Sequence, residues 1–321
     1  MKKIFAIFFM IGIVIAAGYF YKYPFLEPNE GAPAGQESPA AKKFRFAAVI
    51  DNSPPARPQS GLAKADLVIE APAEASFTRL LAFFQSQEAE AIGPVRSARP
   101  YFLDWARGFE SIAVHSGGSS EALSEIAANP GIKSINEFYN ADYIKRDKAK
   151  PAPHNLFTSS ESLAKRAKQD WEETDLDYGF IFKADAPAGE GAAKSIAIDF
   201  NNPAFDVEYR YEPAANSYLR FLGGLSHEDR ETGRPLAAKN VVVMETTSLV
   251  LDETLLTIDL RTSGSGPAAI FRDGQAVRAR WRKVSSTSPL ELIDAQGLPI
   301  ELNRGQTWIE VLDQRHGFSF E

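Results

Sequence analysis

The chain has 321 residues, 44% of them apolar and 24% charged, with 35 basic against 42 acidic side chains and no cysteine. These proportions are globular and allow a sizeable core, while a net charge of −7 excludes a polycationic surface for nucleic acid. Without thiols there is no disulfide, thiolate nucleophile, Cys-type zinc site or lipidated signal-peptide cysteine.

Lys2 and Lys3 precede "IFAIFFMIGIVIAAGYFY", residues 4–21, which carries no charge. As a helix it would reach roughly 27 Å, close to a bilayer core. Tyr19, Phe20 and Tyr21 form an aromatic belt before Lys22, and the positive-inside rule keeps Lys2 and Lys3 in the cytoplasm. The segment 1–23 therefore predicts a single-pass membrane anchor with the rest of the chain extracytoplasmic. The alternative is a signal peptide cleaved near Ala16 and Gly18, giving a secreted protein. Residues 24–43, rich in Pro, Ala, Gly and Glu, read as a flexible linker.

An N-terminal domain is expected over 44–190. "FRFAAVI" (44–50), "DLVIE" (66–70), "TRLLAFFQS" (78–86) and "SIAVH" (111–115) read as strands, and "SPPARPQSG" (53–61) as loop. Phe102, Trp105, Ala106 and Phe109 recur at helical spacing, with Pro100 in the first turn and Gly108 near the end. "EALSEIAA" (121–128) predicts a short helix, and "TSSE" (158–161) is a capping box opening "SLAKRAKQDW". A second domain, 191–321, is β-rich. "KSIAIDF", "FDVEYRY", "SYLRFL", "NVVVMET", "LLTIDL", "AAIFRDG", "QAVRARWRKV" and "QTWIEVL" are short strands, and "RDGQ" (272–275) marks a hairpin. The fold class expected is α+β: a mixed α/β domain, then a β-rich one, behind one transmembrane helix.

Arg96, Ser97 and Arg99 fall at the start of the helix predicted near Pro100. Cations oppose the helix dipole there, unless an anion joins two guanidinium groups and the free backbone N–H groups. Pairing with carboxylates such as Glu70, Glu74 or Asp104 is the alternative. "VHSGGSS" (114–120) offers a second helix start, where Gly117 and Gly118 can turn N–H groups toward a ligand and Ser119 or Ser120 can cap. No Lys-Ser/Thr follows the glycines, so a nucleotide loop is not indicated. Pro151 and Pro153 are expected to stiffen an extended segment presenting His154 and Asn155. A Ser–His–Asp triad from Ser116, His115 or His154, and Asp51 is poorly supported, because adjacent strand residues point to opposite faces. The histidines at 115, 154, 227 and 316 lack metal-ligand spacing, so no metal or cofactor is expected. Glu70 and Glu74 are a weak candidate for paired acid–base work.

"AVIDNSPPARPQSGLAKADLVIEAPAEASFTRLLAFFQS", "IGPVRSARPYFLDWA", "VHSGGS" and "PHNLF" resemble the YerB-like family of bacterial lipoproteins, as does "IFRDGQAVRARWRK" with "DAQGLPIELNRGQTWIEVL". The resemblance covers roughly 44–313. It implies a two-domain extracytoplasmic protein without a known biochemical activity. It places signature positions on Asp51, Asn52, Arg57, Gln59, Glu70, Glu74, Arg79, Arg96, Ser97, Arg99, His115, Gly117, Gly118, Arg146, His154 and Asn155, the candidate ligand-binding set. Two departures stand out: family members often carry a lipobox cysteine, and Ala75-Ser76 stands where a glycine is expected.

These polar residues at strand ends and in loops suggest a binding or scaffold module of the cell envelope with an arginine-rich anion pocket. Its ligand would be an envelope polymer, a lipid-linked precursor or a wall-synthesis protein. The alternative is an enzyme acting on an envelope glycan or phosphorylated lipid carrier, with arginines stabilising phosphate charge and Asp51, Glu70, His115 or His154 moving protons.

Overall fold

Apolar strand runs dominate the chain, and most of them assemble into two large sheets, with two further two-stranded sheets among the described residues. The structure, a computed structural model, describes residues 43–74, 77–174, 177–186, 193–252 and 257–321. The apolar segment 4–21, the linker up to residue 42 and Ala75-Ser76 lie outside them. Among the described residues no helix is long and apolar enough to cross a membrane.

The first half contributes β1 (Phe46–Asp51), β2 (Leu67–Glu74) and β3 (Phe77–Phe84). Next come α1 (Pro100–Gly108), β4 (Ile112–His115), α2 (Ser120–Ala128), β5 (Ser134–Asn136) and α3 (Ser160–Ala167). The second half supplies β6 (Ser195–Asp199), β7 (Val207–Glu212), β8 (Ser217–Leu222), β9 (Asn240–Glu245), β10 (Ser248–Asp252) and β11 (Thr257–Leu260). It continues with β12 (Gly264–Arg272), β13 (Gln275–Lys283), β14 (Glu291–Ile293), β15 (Thr307–Leu312) and β16 (Gly317–Phe320).

The twelve-stranded sheet runs β14-β13-β12-β9-β15-β2-β3-β1-β4-β5, with the β10–β11 hairpin attached to β2 through Thr257 and Glu74. Its centre is β15, parallel to β9 on one side and to β2 on the other, so that Trp308 lies beside both Val241 and Val68. All of β1 and β15 is buried, as expected for strands covered on both faces. The period-2 alternation sorts their side chains. Phe46, Ala48, Ile50, Val68 and Trp308 face one core, shared with Ile196, Val207, Tyr209 and Tyr218 of the six-stranded sheet. Ala47, Val49, Ile69, Leu81 and Ile309 face another, covered by Tyr101, Phe102 and Trp105 of α1.

The expected α+β class is overturned: the protein is mainly β, with three α-helices of eight or nine residues among those described. The individual strands were legible, but their partners were not. Periodicity reports which face of a strand is apolar and says nothing about the strand it joins. Local turn chemistry did carry through. Asp273 and Gly274 adopt positive φ, 55° and 69°, which closes the β12–β13 hairpin with Arg272 opposite Gln275. Ser119 caps α2 by accepting from the Ala122 N–H. The cap of α3 moves one residue along from the predicted box. Ser159 accepts from Ser162 N, because the Thr158 hydroxyl instead donates to the Tyr143 carbonyl at 2.8 Å.

Candidate functional site

β1 delivers Asp51 at its end. One carboxylate oxygen accepts from the Ser53 amide at 2.9 Å and the Ser53 hydroxyl at 2.7 Å. The other faces Arg96 Nε at 2.8 Å and His154 Nδ1 at 2.7 Å. Burial alone would raise this carboxyl. The Ser53 hydrogen bonds, the Arg96 charge and His154 outweigh burial and hold it below the ordinary carboxylate value. His154 does not sit on the extended segment expected from Pro151 and Pro153. The chain turns there through a cis Ala152-Pro153 bond, with His154 N donating to Pro151 O at 3.0 Å. Asp51 anchors one side of both the guanidinium and the imidazole. No hydrogen bond to a described residue reaches the terminal nitrogens of Arg96 or the Nε2 of His154, whose side chains are 25% and 16% exposed.

A ring of contacts continues from this pair. The Ser116 amide donates to Arg96 O at 3.0 Å and its hydroxyl to Glu137 at 3.1 Å. Arg146 lies 4.0 Å from Glu137 and donates to Asn155 at 2.9 Å, which returns the ring to His154.

The remaining predicted residues fall into three other settings. Arg99 is the N-cap of α1, and it diverges from Arg96 rather than converging with it. Its guanidinium pairs with Glu74, which also takes Arg79 at 3.0 Å; Arg79 reaches on to the Ser97 carbonyl at 3.3 Å. Burial pushes both guanidinium groups below their ordinary value. Arg99 Nε is buried without a partner.

Asn52, Gln59 and Glu70 instead enter a closed network between the two sheets. Glu70 accepts from Asn52 at 2.9 Å and Thr78 at 2.5 Å, and pairs with Arg220. Arg220 donates to Tyr209 at 3.0 Å, lies 3.5 Å from Glu310 and stacks over Trp308 at 4.3 Å. Glu70 and Glu310 are register partners on β2 and β15, so two buried carboxyl groups share one guanidinium. Burial, then the nearby Glu70, raises Glu310 to about 8. One of its oxygens accepts from Tyr209 at 2.6 Å. Burial and the Arg220 and Arg57 charges hold His227 well below its ordinary value, hence neutral. Its Nδ1 accepts from Arg220 and its Nε2 donates to Gln59 at 2.8 Å. Arg57 closes the network's edge by donating to Asn52 O and Ala204 O, and burial lowers it to about 10.

His115 is fully buried, with Nδ1 2.7 Å from Gly117 O and Nε2 2.7 Å from Ser134. The glycine loop pairs with residues 96–98 through Ser116 N, Ala98 N and Ser119 N, and Gly117 N donates to Asn136 at 3.0 Å. Most of the donors expected to cradle an anion are thus engaged within the protein. A cavity of about 490 Å³, lined by Thr246, Arg261, Asp313, Gln314 and His316 among others, contains none of the predicted residues.

Sequence reasoning missed Arg220, Tyr209, His227, Glu310 and Ser53. A signal for two existed: Glu310 sits inside the apolar run "TWIEVL" and Arg220 at an inward position of "SYLRFL". A charge inside a buried strand needs a buried partner.

The chain matches a described two-domain family. The model "Protein of unknown function (DUF3048) N-terminal domain" matches residues 31–174, and its C-terminal counterpart matches 196–309. The chain belongs to this YerB-like, two-domain family. "Putative lipoprotein YerB" of Bacillus subtilis (strain 168) is 35% identical over 281 residues, 86% of this chain and 83% of the relative. The crystal structure of the YerB protein from Bacillus subtilis superposes with a TM-score of 0.79 at 31% identity, over 92% of this chain and 99% of that one.

Proposed function

We propose that the protein is an extracytoplasmic, membrane-held binding module of the cell envelope, and that the cleft around Asp51, Arg96 and His154 receives an anionic group of an envelope ligand. The relative's description as a lipoprotein supports the location. The present 321 residues contain no cysteine, so they offer no thioether-linked lipid. The observation that carries the binding reading is the pair of open side-chain heads, the Arg96 guanidinium and the His154 imidazole, whose other sides one carboxylate fixes. Such anchoring reduces the ordering cost of binding, and the guanidinium fork suits phosphate or carboxylate.

The test is thermal unfolding of the full-length protein with inorganic phosphate, wall-polymer fragments and polyprenyl phosphate. A ligand at 100 times its Kd adds about 2.7 kcal/mol, a rise of several degrees in Tm. The rise should vanish in Arg96→Gln. No rise with any of these ligands would defeat the reading.

The enzyme reading draws on the Asp51–His154 contact, which orients the imidazole as a general base is oriented. It predicts that Asp51→Asn abolishes turnover of a bound ligand while binding persists. Unchanged turnover would remove that role.

A further inference from the structure

Glu137, Phe138 and Tyr139 form one 3-10 turn, and its three side chains divide between two environments. Glu137 belongs to the polar ring, bonded to Ser116 and facing Arg146. Phe138 and Tyr139 stand in water, 70% and 87% exposed. Single exposed apolar residues are ordinary on a protein surface. Two successive rings on a pinned turn, at the margin of an open charged cluster, are less so.

The turn is held from both sides. The Asn136 carboxamide oxygen accepts from Phe138 N at 3.3 Å and Gly117 N at 3.0 Å, and its backbone carbonyl accepts from the Asn140 side chain at 2.8 Å. Gly117, at φ +62°, leaves room for the Phe138 ring against its backbone: a Cβ there would lie 2.9 Å from Cε2. Leu123, 38% exposed, packs beside the neighbouring Gly118. The turn is therefore fixed in place, and its Glu137 joins it to the contacts that lead to Arg96 and His154.

We infer that the Phe138–Tyr139 turn is a sugar-stacking platform and that the ligand of the adjoining cleft is an anionic glycan. The inference rests on the anion-binding reading of Arg96 and His154. A pyranose has the matching chemistry. Its C–H-rich face packs on the electron-rich face of an aromatic ring, and its hydroxyls find acceptors in Glu137 and the Asn155 neighbourhood. An acid substituent finds Arg96 and Arg146. A bare phosphate would use the arginines and leave the two rings idle, and an acyl chain would leave the polar ring unmatched.

The experiment is calorimetric titration of the full-length protein with three probes: inorganic phosphate, the N-acetylglucosamine–N-acetylmuramic acid disaccharide, whose sugar carries a carboxylate, and N-acetylglucosamine 1-phosphate. Phe138→Ala combined with Tyr139→Ala removes only exposed rings, and circular dichroism checks the fold. At least one acidic sugar should bind more tightly than phosphate and weaken at least tenfold in the double variant. Phosphate binding should stay within twofold. Arg96→Gln should weaken all three. If phosphate binds but neither sugar binds more tightly, or the double variant leaves the sugars unchanged, the platform is refuted and the anion reading stands. If none of the three binds, both fail.

Discussion

Asp51, Arg96 and His154 repeat the carboxylate–arginine–histidine combination of Glu70, Arg220 and His227, yet the molecule treats the two sets in opposite ways. In the buried set every partner is protein. Arg220 is wholly enclosed and its histidine is kept neutral by burial and two guanidinium charges. In the open set one carboxylate holds a guanidinium and an imidazole by one side only. The difference lies in what covers them. β15 and the six-stranded sheet seal the first set, whereas the second sits where β1 runs out into loops. Residue type alone therefore does not tell the two clusters apart; the number of donor atoms left without a protein partner does.

The comparison breaks most readily at Arg220. Arg220→Met keeps bulk but strands Glu70 beside Glu310 without a counter-charge, and breaking a buried pair costs about 3–5 kcal/mol. Urea unfolding should show that loss. A change below about 1 kcal/mol would mean that the buried set behaves like a surface pair.

Glu310 sharpens it through pH. Burial and Glu70 raise the folded carboxyl well above its unfolded value of about 4.3. Between those values the native state holds a proton that the unfolded state has released. The associated stability is full below the unfolded value and is lost as pH rises through the folded one. The limiting slope is about 1.4 kcal/mol per pH unit. Glu310→Gln should remove this contribution, leaving a flatter stability profile between pH 5 and 8 than the parent. Parallel profiles would show that Glu310 is ionised in the native protein.

The smallest effect is expected at Arg96, whose side chain is 25% exposed. Arg96→Gln should cost no more than about 1 kcal/mol in the same unfolding assay, while the Asp51 carboxyl, read by NMR titration, moves upward. A loss as large as that of Arg220→Met would place Arg96 with the structural arginines.

Much of the β content was legible because strands such as "NVVVMET" and "SYLRFL" announce themselves by composition and alternation, and the Asp-Gly hairpin by its φ requirement. The candidate set was legible as a list of polar residues at strand ends. Its division into settings was not. Arg96 and Arg99 lie three residues apart, yet they reach Asp51 and Glu74 on different strands. His115 and His154 look alike in sequence, yet one has both nitrogens enclosed by protein and the other has one open. The network's second half, from Tyr209 to Glu310, lies well over a hundred residues from Asn52 and Glu70, a separation local patterns do not span.

The position of β15 has a kinetic consequence. β2 emerges early in synthesis, but the strand that pairs with its free edge, Thr307–Leu312, is among the last. Until it arrives, β2 presents unpaired N–H and C=O groups along an apolar strand, the kind of edge that recruits other chains. Contacts of this sequence separation also form slowly. The chain thus spends its nascent life with its central seam open, and a protein truncated just before residue 307 would lack the strand that joins the two halves of the large sheet.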